Sequence, residues 1–274
     1  MSWSIMKRVK LDIGKGIADA VECIKSTYKP LLILLLIMVA IQIVQSIYYQ
    51  PISTADFNLA VTDPEIYRTQ VANMPRMTGL QTLLSFGLTV LVFLVMTVLI
   101  TISSRFFSKT EMAIEDVILY SLKKMFTLLL SYLFMMVTFI PIVLVMIILF
   151  LVSMAVPAGM IVLFIGFIIG IVVCVTMCIM VQYSIVVEDV GPIKGWLNSI
   201  KLVSHNFFRI FFTYMGVMLL SFILRNMLLT ESIISVIVAG TVQVSLTMFL
   251  TVTMTAVYNQ TIDKEPVTVD YRDA

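Results

Sequence analysis

The residue types that carry most enzyme chemistry are scarce in this chain. It has one histidine, His205, and three cysteines, Cys23, Cys174 and Cys178. Metal binding and acid–base catalysis need several His, Cys, Asp or Glu side chains within reach of one another. Cys174 and Cys178 are one helical turn apart, but two thiols without a nearby histidine or carboxylate make a poor metal site. We therefore predict a protein that is not an enzyme, with no catalytic residue, no metal site and no cofactor.

The amino-acid composition of the chain indicates a membrane protein. Of the 274 residues, 60% are hydrophobic and 12% are charged, and the mean hydropathy is +1.06. Soluble domains carry about 25% charged residues. The net charge of +2 is too small for a surface that follows nucleic-acid phosphates. Soluble enzymes, secreted disulfide scaffolds and nucleic-acid binders are excluded, and the fold class predicted is an all-α polytopic membrane protein.

Six apolar stretches are long enough to cross a bilayer as helices. A hydrocarbon core about 30 Å thick needs roughly 20 apolar residues in a helix that pairs its own backbone amides. The predicted transmembrane helices are residues 31–48, 80–103, 125–154, 160–187, 207–229 and 233–258. Their central turns contain no Asp, Glu, Lys or Arg, the residues that ion-coupled transporters normally keep at mid-bilayer.

The distribution of lysine and arginine predicts the orientation. These residues are retained on the cytoplasmic side during insertion. Most of them precede the first span, connect the second to the third and the fourth to the fifth, or follow the sixth; the exceptions are Arg68, Arg76 and Arg225. We therefore predict a multi-pass protein of the cell (inner) membrane with both termini in the cytoplasm. Arg225 is expected to anchor the outer end of the fifth span by reaching the headgroups.

An internal repeat is predicted within a single membrane domain, residues 1–274. Each unit begins with an amphipathic stretch that ends in basic residues and leads directly into a transmembrane hairpin. The units are residues 11–104, 105–187 and 188–260, followed by a cytoplasmic tail, 261–274. The apolar residues at helical spacing are Ile13, Ile17, Val21 and Ile24; Ile114, Ile118 and Leu122; and Ile193, Leu197, Ile200 and Leu202. Such a pattern favours a helix in the headgroup plane.

The third cytoplasmic segment carries a resemblance to a known family. It reads VEDVGPIKGWLNS from residue 187 and NFFR from residue 206, and its characteristic residues are Glu188, Gly191, Ser199, Phe207 and Arg209. The segment resembles the region before the fifth span in bacterial six-span inner-membrane proteins. These include the membrane domain joined to glycerophosphodiester phosphodiesterases and its stand-alone relatives. The resemblance implies a multi-pass protein that is not itself the hydrolase.

Two rows of polar or small residues recur every fourth position. Gly166, Gly170, Cys174, Cys178 and Gln182 lie on the fourth span, and Gln243, Thr247, Thr251, Thr255 and Asn259 lie on the sixth. Gly166 and Gly170 form a GxxxG pair, which permits close approach of two helices. The rows are explained either by helix packing with internal hydrogen bonds or by a polar seam that faces a cavity for a lipid headgroup or peptide.

Two functions remain open from the sequence. The first is a non-enzymatic membrane protein in envelope homeostasis, in lipid or peptide handling, or in protection from membrane-active peptides. The alternative is the permease subunit of an ATP-driven exporter; because the chain has no glycine-rich phosphate loop, its ATPase would be a separate subunit. The expected partners are membrane lipids, with a hydrophobic peptide, an ATPase subunit or further copies of the chain as additional candidates, and no nucleic acid.

Overall fold

The computed structural model describes residues 11–48, 65, 79–110, 113–153, 157–228 and 233–262. This part of the chain forms helices joined by short turns and contains no strand. Its helices are α1 (Ile13–Ser26), α2 (Tyr28–Tyr48), α3 (Gly79–Phe107), α4 (Ile114–Ser153), α5 (Pro157–Val187), α6 (Pro192–Leu228) and α7 (Ile233–Ile262). The predicted cytoplasmic tail beyond Ile262, together with Arg68 and Arg76, lies outside the described residues.

Five helices of the described chain are long and apolar enough to cross a membrane. Their apolar parts are Tyr28–Gln45, Gln81–Phe107, Ile114–Val137, Pro192–Leu228 and Ile237–Thr261. Many large apolar side chains on these helices are exposed, including Leu83, Phe126 and Phe212. An aqueous surface would not accommodate such a contiguous apolar area, so the helices are suited to a lipid environment. The prediction of several membrane-crossing helices is confirmed.

The predicted fourth span, residues 160–187, lies within α5, which runs through 31 residues. Among the described residues, the apolar part of α5 is the stretch Val172–Val187, which is shorter than the five spans above. The crossing of the membrane by α5, and hence the total of six spans, therefore stays a prediction.

Helix α7 lies at the centre of the bundle. Residues 251–259 are all buried, although a helix at the edge of a bundle buries only one stripe. The reason is that α7 contacts α1, α2, α3, α5 and α6. Threonines are tolerated in this position because their hydroxyls donate to backbone carbonyls one turn earlier, as Thr255 does to Thr251 at 2.8 Å.

Helices α2 to α7 form an inner and an outer group. Helices α3, α5 and α7 contact one another. Each of the others packs across one pair of these three: α2 against α3 and α7, α4 against α3 and α5, and α6 against α5 and α7. The outer helices α4 and α6 also pack against each other. The described bundle therefore has three inner and three outer helices.

The entries into the outer helices differ from one another. Thr27 ends α1 and separates it from α2, and its amide donates to the carbonyl of Cys23 at 2.8 Å. Helix α4 instead runs without interruption from Ile114 into the apolar region. Helix α6 is kinked at Asn206, where φ is −129° and ψ is 21°. The predicted separation of an interfacial helix from its span is thus present in the first unit, and the threefold repeat stays a prediction.

Candidate functional site

Alternation of the helices brings the starts of α2, α4 and α6 and the ends of α3, α5 and α7 to one end of the bundle. We call it the basic end because it carries Arg105, Lys124 and Arg209. The segment that resembles the six-span family lies here, between the end of α5 and the middle of α6. Its charged and polar side chains contact α4, α5 and α7 and the backbone of Leu11, which precedes α1, so this region is the candidate site.

Glu188 links the end of α5 to both α6 and α7. Its Oε2 accepts a hydrogen bond from Asn198 Nδ2 at 2.6 Å, and its Oε1 accepts one from the hydroxyl of Tyr258. Tyr258 is buried on α7, 70 residues further along the chain. A carboxylate that accepts from two fixed donors orients all three elements relative to one another.

Asp189 links the same turn to α4. Its carboxylate forms an ion pair with the ammonium group of Lys124, whose side chain is 8% exposed, whereas that of Asp189 is 70% exposed. Tyr120 donates from its hydroxyl to Val186 O at 2.8 Å and is 3.4 Å from Asp189 Oδ1. The hydrogen bond and charge of Lys124 lower the pKa of Asp189 below its ordinary value. The backbone of Asp189 has a φ of 54°, a left-handed conformation that Asp tolerates better than most residues.

Two cations lie over the ring of Tyr120. Arg105 on α3 and Lys124 on α4 each lie 5.6 Å from the ring centroid. Such cation–π contacts contribute about 0.5–1 kcal/mol each where water has access. We call the whole group the basic-end cluster: Arg105, Tyr120, Lys124, Glu188, Asp189, Asn198 and Tyr258. It joins α3, α4, α6 and α7 around the turn that follows α5.

Removing Asp189 from its ion pair with Lys124 is expected to destabilise the protein more than removing Lys124. Asp189→Asn leaves the buried ammonium of Lys124 without an anionic partner, so it should lower the free energy of unfolding by about 1 kcal/mol. Lys124→Met removes the charge and retains the apolar stem, so its cost should be smaller. The check is thermal unfolding of the purified variants in detergent, with Lys123→Met, at an exposed neighbour, as the control. Equal destabilisation by the two substitutions would show that no unpaired buried charge is created.

The Asp189–Lys124 ion pair should make the free energy of unfolding depend on pH. Because folding lowers the pKa of Asp189, the stabilisation is fully present above its ordinary value of 3.8 and is lost as the pH falls through the lower value of the folded state. Wild type should therefore lose this contribution in strongly acidic buffer, whereas Asp189→Asn should lack that part of the profile.

Other residues of the family-like segment have structural partners. Ser199 is buried, and its hydroxyl donates to Met177 O on α5 at 2.5 Å. Phe207 is half-buried and stacks on Phe211 with ring centroids 5.7 Å apart. Gly191 is exposed, and a Cβ there would meet open space. The structure thus brings Glu188 and Ser199 into contact with neighbouring helices but gives Gly191 no packing role.

Arg209 and Asn206 hold the segment that precedes α1. The guanidinium of Arg209 donates to the carbonyl oxygen of Leu11, and the amide of Leu11 donates to Asn206 Oδ1 at 3.4 Å. Next to them, the side chain of Gln260 on α7 makes two hydrogen bonds of 3.0 Å with the backbone of Asp12. We call this group the N-terminal clamp. It fixes α1 at the junction of α6 and α7.

The two polar rows have different surroundings. On α5, Gly166 and Gly170 are exposed and a Cβ at either would meet nothing within 4 Å, while Cys174, Cys178 and Gln182 are half-buried. The described residues therefore include no helix packed against the GxxxG pair. On α7 the row passes from half-buried Gln243 and Thr247 to buried Thr251, Thr255 and Asn259.

Most polar side chains of the α7 row have hydrogen-bond partners. Gln243 Oε1 accepts from Gln42 Nε2 on α2 at 3.2 Å, and Thr247 and Thr251 each donate to the carbonyl one turn earlier at 2.9 Å. Asn259 is the exception, because its buried Nδ2 has no partner among the described residues. Apart from Asn259 Nδ2, the side chains of the row thus have hydrogen-bond partners in the described structure.

The remaining candidate ligands do not converge. His205 is exposed, and its Nδ1 lies 2.9 Å from Lys201 O. Across the described residues, no three His, Cys, Asp or Glu side chains are placed to hold a metal ion. The partners of the cluster, Tyr120, Asn198 and Tyr258, were not predicted as site residues. Asn198 lies within the family-like segment but is not one of its characteristic residues. Tyr120 and Tyr258 carry no local pattern, because their roles depend on contacts between distant parts of the chain.

These helices and this cluster define an all-helical, multi-pass membrane protein whose basic end is joined by polar contacts. No protein-family model, curated protein or solved structure matches the chain.

Proposed function

We propose that the chain is a non-enzymatic, six-span protein of the bacterial cell (inner) membrane, with both termini and the basic end in the cytoplasm. The orientation is supported by the position of Arg105, Lys109, Lys124, Lys194 and Arg209, which all lie at one end of the described helices. Retention of positive charge in the cytoplasm then determines which end faces inward.

The cyclic packing supports the proposed threefold repeat. In each unit the segment that starts the outer helix contacts the inner helix of the preceding unit. Gly16 of α1 lies where a Cβ would be 2.5 Å from Val257 of α7; Ser121 of α4 is 3.2 Å from Thr101 of α3; and Ser199 of α6 donates to α5. Three equivalent contacts around three inner helices are what repeats of an interfacial segment and a hairpin would produce.

The proposed activity is the handling of lipid or hydrophobic peptide at the cytoplasmic surface of the membrane, with a role in envelope homeostasis that includes protection from membrane-active peptides. One observation carries this proposal. Each of the three initial segments packs one face on the bundle and leaves large apolar side chains exposed on another. These exposed residues are Ile17 and Val21, Ile118 and Leu122, and Ile193 and Leu197.

Exposed apolar strips at the level of the headgroups are suited to contacts with lipid or peptide. Each strip lies beside lysines, such as Lys25, Lys123 and Lys194, which are exposed as well. An apolar face with flanking cations is the pattern of helices that bind the surface of an anionic membrane. The inner faces of the same segments are occupied by contacts with the bundle, so the strips face outward.

Deletion of the gene tests the proposal. We expect the deletion strain to become several-fold more sensitive to membrane-active peptides or to change its lipid profile, and a plasmid copy to restore the wild-type behaviour. A copy with Ile17→Ser and Val21→Ser should restore it poorly, because these changes remove the apolar strip of α1. The matched control is Lys15→Ser with Glu22→Ser, at exposed polar positions of the same helix.

Purification from the native membrane distinguishes the other outcomes. Unchanged peptide sensitivity and an unchanged lipid profile after deletion would reject the proposed activity. An ATPase that co-purifies in stoichiometric amount would instead identify the chain as the permease subunit of an exporter.

A further inference from the structure

An apolar groove lies between the start of α2 and the middle of α7. Its volume is about 270 Å³, and its walls include Ile24, Tyr28, Leu32 and Leu35 on one side and Met248 and Phe249 on the other. Tyr28 and Leu32 are more than half exposed, so the groove opens at the surface of the bundle. In a membrane protein such an opening faces the acyl chains.

The groove follows α2 away from the basic end. From Tyr28 to Leu35 the helix rises by roughly 10 Å at 1.5 Å per residue. With the basic end at the headgroups, the groove therefore covers the first part of the hydrocarbon, directly below the membrane surface. Its upper end lies at the junction of α1 and α2.

The polar groups of the groove favour an acyl chain over a peptide. Ser245 also lines the groove, but its hydroxyl already donates to Thr241 O at 2.8 Å. An extended peptide placed there would have almost no partners for its amides, and unpaired amides are costly in hydrocarbon. A helical peptide pairs its own amides, but with a diameter of about 10 Å it is too wide for a groove of about 270 Å³. A hydrocarbon chain has no such requirement.

Two lysines lie at the junction of α1 and α2, next in sequence to residues that line the groove. Lys25 and Lys29 are neighbours in sequence of the lining residues Ile24 and Tyr28, and both are exposed. Neither forms an ion pair with a carboxylate of the described chain. Glu22, one turn before Lys25, is the nearest acid in sequence on α1, so the junction of α1 and α2 remains net positive.

We propose that this groove binds one acyl chain of an anionic phospholipid whose phosphate is held by Lys25 and Lys29. The inference rests on the proposed function and names the lipid class that it handles. A cationic pair above an apolar groove selects an anionic headgroup over a zwitterionic one, because each lysine near the surface contributes a favourable electrostatic interaction.

Photo-crosslinking in lipid nanodiscs tests the site on the full-length protein. The probe is phosphatidylglycerol with a diazirine in one acyl chain, and the comparison is phosphatidylcholine with the same chain. We expect the phosphatidylglycerol label to concentrate on the peptides that contain residues 28–35 and 245–252. The phosphatidylcholine label there should be about tenfold weaker.

Two pairs of variants separate the groove from the general membrane surface. Leu32→Trp fills the groove and should reduce its label about tenfold, whereas Ile33→Trp, at an exposed neighbour outside the groove, should not. Lys25→Gln with Lys29→Gln should weaken labelling by phosphatidylglycerol about tenfold and leave phosphatidylcholine unchanged. The control with the same charge change is Lys123→Gln with Lys194→Gln.

Several results would overturn the site. These are equal labelling by the two lipids, label spread over all lipid-facing helices, equal effects of Leu32→Trp and Ile33→Trp, or displacement of the label by a hydrophobic peptide. Should Leu32→Trp fail to fold, the lysine variants alone decide, since they change only exposed side chains. If the groove is not labelled selectively but the deletion strain still shows its phenotype, the proposed function stands and only the site is rejected. If the groove is labelled but deletion of the gene has no phenotype, only the proposed function is rejected.

Discussion

Replacement of Arg209 by Gln is expected to raise the labelling rate of Cys23 by maleimide roughly ten- to hundredfold. Arg209 donates a charge-assisted hydrogen bond to Leu11 O, and loss of such a bond costs about 1.5–3 kcal/mol. The population in which α1 is detached rises by the corresponding factor. A detached helix of 14 residues is marginally stable in water, so its buried face becomes accessible. Cys23 is fully buried on that face, and burial raises its thiol pKa, so it reacts slowly in wild type.

The matched control is Arg225→Gln, which makes the same change in the last turn of α6 and should leave the labelling rate near that of wild type. Cys174→Ala and Cys178→Ala in all variants make Cys23 the single reactive thiol. Hydrogen exchange of the α1 amides should increase in parallel. A labelling rate for Arg209→Gln that equals the rate for Arg225→Gln would show that Arg209 does not hold α1.

The helices of this fold were predictable because the bilayer imposes their length, but the ends of the helices were less so. The second span was predicted to end at residue 103, yet α3 continues to Phe107. The chain then turns at Lys109, with a φ of 53°, where the amide of Thr110 donates to Arg105 O and that of Lys109 to Phe106 O, both at 3.1 Å. These paired bonds form a Schellman ending, which usually has glycine at the left-handed position. Because lysine occupies it, the sequence offered no signal.

The start of the third span shows the same limit. The sequence pattern predicts that an amphipathic stretch ends at Lys123 and Lys124, but α4 runs through both without a break. Lys124 is buried beside Asp189 rather than exposed at the surface. A charged residue is compatible with a continuous helix when a partner from another element reaches it, and that partner is 65 positions away in the chain.

The candidate site was predictable in part. The resemblance selected Glu188, Ser199 and Arg209, and each makes a contact with another part of the fold. Sequence spacing also selected the row on α7 that is buried at Thr251, Thr255 and Asn259. The threonines of that row donate to carbonyls one turn earlier on the same helix. The partners of Glu188, Ser199 and Arg209 could not be predicted, since no helical period relates the residues that these contacts join.

The N-terminal clamp and the apolar groove lie at opposite ends of α1. Leu11 precedes the helix and is held at the junction of α6 and α7, whereas Ile24 lies in its last turn and lines the groove. Detachment of α1 by Arg209→Gln should therefore also reduce labelling of the groove by the phosphatidylglycerol probe, because Ile24 would leave the wall of the groove. The Lys25 and Lys29 substitutions leave the clamp intact, so the two sets of variants separate support from direct lipid contact.

Gly195→Val is expected to destabilise the protein by about 2–4 kcal/mol. Gly195 is buried where α6 crosses α5, and an added Cβ would overlap the side chain of Ile185, which is itself fully buried. Overpacking of this kind costs about 1–3 kcal/mol. Displacement of α6 would in addition weaken the bond from Ser199 to Met177 O, at a cost of about 1 kcal/mol. Thermal unfolding of the purified variant in detergent measures the sum.

Gly216→Val is the matched control, since Gly216 lies on the same helix and a Cβ there would meet nothing within 4 Å. It should change the free energy of unfolding by less than about 1 kcal/mol, because only helix propensity is affected. Ile185→Ala in the Gly195→Val background should cost less than the sum of the two single changes, since the cavity accommodates the added methyl groups. Additive effects, or equal unfolding temperatures for Gly195→Val and Gly216→Val, would contradict the contact. In that event the close approach of α6 to α5 at Gly195 would not be what places Asn198 beside Glu188.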